Sequence, residues 1–352
     1  MDFISIILLI AAVVFIQGWL YRRYTFKNFK CNCFFSSDEV YEGDEIEFIE
    51  EITNAKFLPL PWLKTELTTS KWLEFSGLQS PVSYKTRFIT SFFSVKSYSK
   101  VRRVWKVKCL KRGCYGIENI VLVVSDILGI NKLSGSFDIS ELIKNKITVL
   151  PSCADYEDSN INLSKTIGDI FVKRKLISDP FFYNGIREYT TTDPFSKINW
   201  FATAKEQQLM VHKNDFTSDR SLTIILNIQS SQYDISEVIY ENYVEECIRI
   251  CAAIIKNSSE NGISVRILSN TTIDNIPVDD KSSDSLQLYR TLANLQFNVY
   301  ELFDRYVTCI IPKLENTEII IISSYISDCV SDIIRIYPDI HFIKPDMSGG
   351  EI

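Results

Sequence analysis

Apolar residues fill positions 3–20 with only Ser5, Gln17 and Gly18 interrupting, and the basic run YRRY follows at 21–24. That pattern predicts a helix about 27 Å long, close to the roughly 30 Å of a membrane's hydrocarbon core. From residue 26 to about 150 the pattern changes to short apolar runs broken by turn signals: EGDE at 42–45, LPLPW at 58–62 and KRGCYG at 111–116. Ile46 and Phe48 alternate with Glu45 and Glu47, and Trp105, Val107 and Cys109 alternate with Lys106 and Lys108. A period of two predicts half-buried antiparallel strands, hence a β-sandwich-like domain, with the Glu-rich strand forming a solvated face.

The pattern changes again after residue 220. LTIILNI at 222–228 is a continuous apolar strand, and the segment 237–257 carries Val238, Tyr240, Tyr243, Val244, Cys247, Ile248, Cys251 and Ile254 at helical spacing. Strand-like ISVRILS, helix-like DSLQLYRTLANL and strand-like EIIIIS follow in order. Strands alternating with helices predict a mostly parallel sheet covered on both faces. Four regions result: an anchor and basic flank at 1–25, a β domain at 26–150, a linker with a polar and aromatic motif at 151–220, and an α/β domain at 221–352.

Composition narrows the setting. A net charge of −6 without clustered Lys and Arg excludes a general nucleic-acid binder, which displaces counterions from phosphates. A cleaved signal peptide begins with basic residues and runs shorter, whereas here Asp2 precedes the apolar run and Arg22, Arg23, Lys27 and Lys30 follow it. The positive-inside rule then puts the bulk of the chain in the cytoplasm, as a single-pass membrane protein. Nine cysteines, an odd number with no Cys-x-x-Cys pair, read as reduced thiols and agree with that side. Cys31 and Cys33 lie near enough to the basic flank for lipidation, although buried thiols are the plainer reading.

Conventional catalytic signatures are missing from the sequence. It has no phosphate-binding Gly-x-x-x-x-Gly-Lys loop, no histidine pair at i and i+4, and no Gly-x-Ser-x-Gly elbow. Its two histidines, His212 and His341, lack metal-ligand spacing, and Cys247 and Cys251 share a helix face suited to core packing.

The segment GIREYTTTDPFSKINWFATAKEQQLMVH at 185–212 crowds polar and aromatic groups together. Arg187, Glu188, Tyr189, Asp193, Ile198, Asn199, Trp200, Ala204, Lys205 and Val211 resemble the signature of the bacterial family of unknown function DUF58. EGDEIEF, LPLPWL and KRGCYGIENIVLVVSDILGI, with Asp126 and Gly129, resemble that family's preceding β region. The chain departs from the family at Thr192, where a Gly is usual, and at Ser196, where an Arg is usual. It also shows one membrane helix where two are common.

The residues after the motif resemble a von Willebrand factor A domain, giving an α/β multidomain chain: transmembrane helix, antiparallel β-sandwich-like domain, then a doubly wound α/β domain. Such domains often hold Mg²⁺ through Asp-x-Ser-x-Ser at the end of the first strand. Here the stretch is Asn227-Ile228-Gln229-Ser230-Ser231, so at Asn227, Gln229 and Ser231 the site is degenerate and its carboxylate is gone. A later strand that would supply a second Asp is followed by Ser323 and Ser324, with Asp328 only beyond them. A hard dication needs that charge, so no metal or other cofactor is expected.

The resemblance also implies partners: a MoxR-type AAA+ ATPase, and membrane proteins with transglutaminase-like domains. The leading expectation is therefore a membrane-anchored, non-enzymatic adaptor that recognises its partner through Arg187, Glu188, Tyr189, Asp193, Asn199, Trp200 and Lys205. Trp, Tyr and Arg dominate interface hot spots. A structural alternative has Trp200, Tyr189 and Ile198 packed as a linker, fixed by a pair between Arg187 and Asp193 or Glu188. A catalytic alternative is a hydrolase-type enzyme using Asp193, Glu188 and Lys205 in acid–base chemistry. A cysteine nucleophile comes last, because it would need one of only two histidines.

Overall fold

The computed structural model describes residues 3–77, 80–137, 145–153, 183–190, 193–214, 221–235, 238–314, 317–338 and 340–345. The chain divides into two compact units, Met1–Ser152 and Cys153–Ile352. Within the predicted linker and motif region, 151–220, residues 154–182, 191–192 and 215–220 lie outside the described residues.

The first unit opens with α1 (Phe3–Tyr24), long and apolar enough to cross a membrane, a composition that a signal sequence shares. Strands β1 (Phe29–Phe35), β2 (Glu39–Tyr41), β3 (Glu45–Asn54), β4 (Leu60–Ser70), β5 (Leu73–Phe75), β6 (Val82–Ser83), β7 (Thr86–Val95), β8 (Ser99–Cys109), β9 (Gly113–Ser125), β10 (Lys132–Phe137) and β11 (Lys146–Leu150) follow. They form two sheets, β1-β3-β8-β5 and β2-β11-β9-β4-β7-β6, with β10 also paired to β9. Pairing is antiparallel except between β11 and β2.

Period-two alternation builds this core. Ile46, Phe48 and Ile52 of β3 are buried with Leu67, Ile89, Ile120 and Leu122 of the other sheet, and Phe48 packs its ring 5.2 Å from Phe35 and 5.5 Å from Phe75. Each such side chain contributes about 1.5–3 kcal/mol through its burial.

The Glu-rich strand is only partly a solvated face. Glu45 and Glu47 face water, but Glu50 is 1 % exposed. It lies on the same parity as Phe48 and Ile52, so the pleat turns it inward. Its carboxyl group accepts from Thr65 Oγ1 at 3.2 Å, Ser91 Oγ at 2.9 Å and Trp105 Nε1 at 2.8 Å. Thr65 and Ser91 belong to the opposite sheet, so one side chain links both layers and satisfies a buried polar group.

The second unit holds a small hairpin and an α/β sheet. The hairpin pairs β12 (Tyr183–Glu188) with β13 (Met210–Asn214), and α2 (Trp200–Glu206) lies between them in sequence. The sheet runs β16-β15-β14-β17-β18, built from β14 (Ser221–Leu226), β15 (Val265–Ile273), β16 (Ile276–Ser282), β17 (Thr317–Ile322) and β18 (Ile340–Ile343). Helices α3 (Glu241–Glu260), α4 (Ser285–Asn294), α5 (Phe303–Ile310) and α6 (Asp328–Ile336) complete it. Strands β15, β14, β17 and β18 are parallel, and their near-continuous apolar sequence reflects burial on both faces. Ile225, Leu268 and Ile321 cluster with Phe303, Val307 and Val330, while α3 packs against β14, β15 and β17 along its own buried stripe.

Two local features refine the sequence reading, and the second corrects it. Edge strand β16 runs antiparallel to β15 through a turn at Asp274 and Asn275, both with positive φ, the one exception in the mostly parallel sheet that was expected. Helix α3 starts at Glu241, so Val238 and Tyr240 precede it. The amides of Ile239 and Tyr240 are given to Asp234 Oδ2 and Ser230 Oγ at 3.4 and 3.1 Å, which holds that segment as a loop.

Candidate functional site

Two clusters gather the residues singled out from sequence. The first is the hairpin motif. Gly185, at φ +102°, sits where the register between Tyr183 and Ile186 shifts, a backbone position that suits glycine. Beyond it Arg187 closes a bidentate pair with Asp193, at 2.7 Å through Nη1 and 2.6 Å through Nη2. Asp193 also accepts from the Thr190 amide at 2.9 Å and hydroxyl at 2.7 Å. The bonds from Arg187 and then Thr190 hold the Asp193 carboxyl far below the usual carboxylate range, and Arg187 is raised in return. The Asp193 side chain is 12 % exposed.

After this clamp the chain turns back onto β13. Ile198 bridges to Val211 and both are buried. Asn199 caps α2, its Oδ1 accepting from the Ala202 amide at 3.0 Å, and its own amide bonds to Met210 O at 2.8 Å. Thr203 Oγ1 accepts from Met210 N at 3.0 Å. Ala202 is the buried residue of α2. Trp200, two positions away and so about 200° around the helix, is turned out.

Trp200 is 68 % exposed, Phe201 85 % and Phe195 70 %, with Tyr189 half-buried and stacked on Phe195 at 5.7 Å. Of the structural alternative, Ile198 packs inside and the Arg187–Asp193 pair forms, but Trp200 is not packed as a linker residue. Glu188 and Lys205 are both exposed, Glu188 opposite Met210 in the register and Lys205 in the last turn of α2. The bonds of Asp193 go to Arg187 and Thr190, so the three groups named for acid–base chemistry are not joined. Ser196 lies exposed in the short 3₁₀ turn, and Thr192 falls outside the described residues.

The second cluster lies past the carboxyl ends of β14 and β17, where the strand order reverses direction; open α/β sheets bind ligands at such a point. Asn227 Nδ2 donates to Ser323 Oγ at 2.9 Å, and Asn227 Oδ1 accepts from the Gln229 amide at 2.9 Å. Gln229 Oε1 accepts from the Phe303 amide at 2.7 Å, while its Nε2 donates to Asp234 O. Asn270 Oδ1 accepts from Ile228 N at 2.9 Å. Ser324 Oγ donates to Ser230 O at 2.9 Å.

Asp234 is the carboxylate of this cluster. It receives Ser230 N and Oγ at 2.7 Å each and Ser231 Oγ at 3.0 Å. Burial pushes its carboxyl up, but the bonds from Ser230, Ser231 and Ile239 outweigh burial and leave it below the ordinary range. Asp328 is the first residue of α6, while Asp304 accepts from Ser327 Oγ at 2.6 Å.

Asn227, Gln229 and Asp234 are thus bonded to neighbours within the cluster. Among the described residues no group of three or more His, Cys, Asp or Glu could hold a metal ion. Sequence reasoning found Asn227, Gln229 and Ser231 through their motif positions and missed Asp234 and Asn270. The motif offered no signal for either; the run Ser230-Ser231 with Asp three to four residues on is the one local hint, since it invites a side-chain-capped turn.

Five of the nine cysteines, Cys31, Cys33, Cys109, Cys247 and Cys251, are buried. None of the nine described cysteines is in a disulfide. Burial pushes Cys247 and Cys251 far up and Cys109 up to about 11, while a hydrogen bond with Cys31 and burial raise Cys33. Thiols so protonated are poor nucleophiles.

The family model described as "Protein of unknown function DUF58" matches residues 185–322, from inside β12 to the end of β17, and supports the resemblance read from the motif. No curated protein matches the chain. Among solved structures, the CARDB domain of a Pyrococcus furiosus protein in complex with di-metal ions is 12 % identical, covering 36 % of this chain and 91 % of that one, with a TM-score of 0.23. A non-cellulosomal cohesin from Archaeoglobus fulgidus is 15 % identical over 37 % of this chain and 99 % of that one, with a TM-score of 0.23. The Bacillus subtilis sporulation control protein Spo0M is 12 % identical over 46 % of this chain and 58 % of that one, with a TM-score of 0.20.

Proposed function

We propose that this chain is a membrane-anchored interaction protein whose contact surface is the hairpin motif, working as an adaptor for an AAA+ ATPase of MoxR type. The observation that carries the reading is the solvent exposure of Trp200, Phe201 and Phe195 on an element held by the Arg187–Asp193 clamp and the Asn199 cap. Large aromatics left uncovered on a braced loop are what an interface uses: they bring area at little entropic cost. The kind of partner rests on the family resemblance alone, as does a companion membrane protein with a transglutaminase-like domain.

The anchor reading has its own support. Tyr21 and Thr25, at and just past the last turn of α1, are each 1 % exposed, and Tyr21 belongs to the core of the β unit. A removed signal sequence would take a core residue with it, so α1 is better read as a retained membrane span. The basic residues after it favour a cytoplasmic bulk. For the α/β unit we favour a von Willebrand factor A type, on the strand order with its antiparallel second edge, working without Mg²⁺ because Asn227 and Gln229 bind each other's neighbourhood instead. Acid–base chemistry is not favoured, since Arg187 and Thr190 already occupy Asp193.

The test is capture of an AAA+ ATPase by the detergent-solubilised full chain, compared with a Trp200→Ala, Phe201→Ala double variant whose thermal unfolding matches the parent. Retention by the parent and loss in the variant is the expected result. Equal retention by both would move the contact surface away from the hairpin.

A further inference from the structure

The lower part of α1 does not leave the β unit freely; two loops grip it and a third braces one of them. Tyr21 Oη donates to Pro59 O at 2.8 Å, tying the helix to the loop before β4. Gly18 is buried against Asn131, so closely that a Cβ at Gly18 would lie 2.9 Å from Asn131 Nδ2. Asn131 is held in turn by Asp126, whose carboxylate accepts from Asn131 Nδ2 at 2.7 Å and from the Ile130 amide at 2.9 Å. The third loop, before β8, joins the first: Asn54 Nδ2 donates to Leu58 O and Lys96 O at 2.9 Å each, and Tyr98 N bonds to Lys56 O at 3.2 Å.

The tips of these loops are apolar and uncovered. Phe57 is 80 % exposed and Tyr98 72 %, and Ile127, Leu128 and Ile130 are exposed on the loop that touches Gly18. Trp62, exposed near the start of β4, pairs with Ser125 beside that loop. Contiguous exposed apolar groups mark a contact surface.

The occupant follows from the level at which the loops meet the helix. Gly18 precedes Arg22 by four residues, about 6 Å along the axis. The Asn131 contact therefore lies on the apolar side of the first basic residue, within the stretch that the hydrocarbon or its boundary must surround. Backbone and polar groups at that depth need partners; Asp126 and Asn54 supply them to Asn131, Ile130 and the Leu58 and Lys96 carbonyls, while Gln17 Nε2, Asn54 Oδ1 and Lys56 Nζ are buried without a hydrogen-bond partner among the described residues. Lys27 and Lys96, both exposed, stand beside the rim where anionic headgroups would lie.

Resting on the reading of α1 as a membrane span, we propose that this end of the β unit is itself seated in the lipid interface, with Phe57, Tyr98, Ile127, Leu128 and Ile130 entering the headgroup and upper acyl layer around the helix. The β unit is then a membrane-apposed collar, not a domain on a free tether. Trp62 serves as an interfacial aromatic at its margin.

The experiment reconstitutes the full chain into phosphatidylcholine and phosphatidylglycerol vesicles carrying brominated acyl chains, and reads tryptophan emission. The difference between the parent and Trp19→Phe reports whether α1 enters the bilayer. In the Trp19→Phe background, a tryptophan is then added by Phe57→Trp, Ile130→Trp or Tyr84→Trp, all at exposed positions. Tyr84 is the control: it precedes β7 at the end opposite Lys96, roughly 30 Å away along that strand. Quenching of the tryptophans at 57 and 130 but not at 84 is the expected result. Quenching at Trp19 with no more quenching at 57 and 130 than at 84 would overturn the collar and leave the anchor standing. Absence of quenching at Trp19 would remove the anchor, and the collar with it.

Discussion

Asp193 and Asp234 are both carboxylates with several donors and both held below their ordinary pKa, yet their surroundings differ in kind. Around Asp234 the neighbours are side chains and amides buried with it, at the position where open α/β sheets take ligands. Around Asp193 the bonds brace a loop, and what that loop presents is aromatic surface with no cover. Polar groups bonded to one another have less to give a ligand, while uncovered aromatic groups have contact area to give. The same economy of hydrogen bonds thus closes one surface and opens the other.

The largest expected effect is at the closed site. Gln229→Ala leaves the Phe303 amide and the Asp234 carbonyl without their partner, and we expect the α/β unit to lose about 3 kcal/mol, read from urea unfolding. Next, Asn227→Asp returns the missing carboxylate but removes the donor to Ser323 and buries a charge, for an expected loss of about 2 kcal/mol. Adding Mg²⁺ should not restore it. Recovery of the unfolding midpoint with Mg²⁺ would mean that the cluster keeps room for a dication, and the contrast with the hairpin would fail.

Effects at the open site should be smaller. The folded Asp193 carboxyl lies below its unfolded value of about 3.9, so its contribution is present above about pH 4 and is lost as pH falls further. The thermal midpoint of the parent should accordingly exceed that of Asp193→Asn near neutral pH, and the gap should narrow in acid. A gap independent of pH would mean that the clamp is not the source. Smallest of all, Trp200→Ala should change stability by no more than about 0.5 kcal/mol, because the ring is outside; a loss of several kcal/mol, as for a buried aromatic, would restore the packed-linker reading.

Legibility from sequence followed the range of the interaction. Alternation in Glu45 to Phe48 and in Trp105 to Cys109 announced strands because pleating is local, and the apolar runs of β14 and β17 announced a buried parallel sheet. The inward turn of Glu50 was hidden, since its acceptability depends on Thr65, Ser91 and Trp105 from three other strands. The start of α3 was misplaced by the same kind of blindness, because Asp234 and Ser230 capture amides that periodicity assigned to the helix.

By itself the sequence determined the order of helix, β unit, motif and α/β unit, the absence of a carboxylate at position 227, and the residue types gathered in the motif. These depend on period, charge and identity, all carried along the chain. Only the tertiary structure decided that Arg187 pairs with Asp193, that Trp200 turns outward while Ile198 turns in, that Gln229 is spent on Phe303, and that Gly18 and Tyr21 are gripped by loops more than thirty residues away. Those outcomes depend on which groups the fold as a whole brings within hydrogen-bonding distance, and no local pattern encodes that.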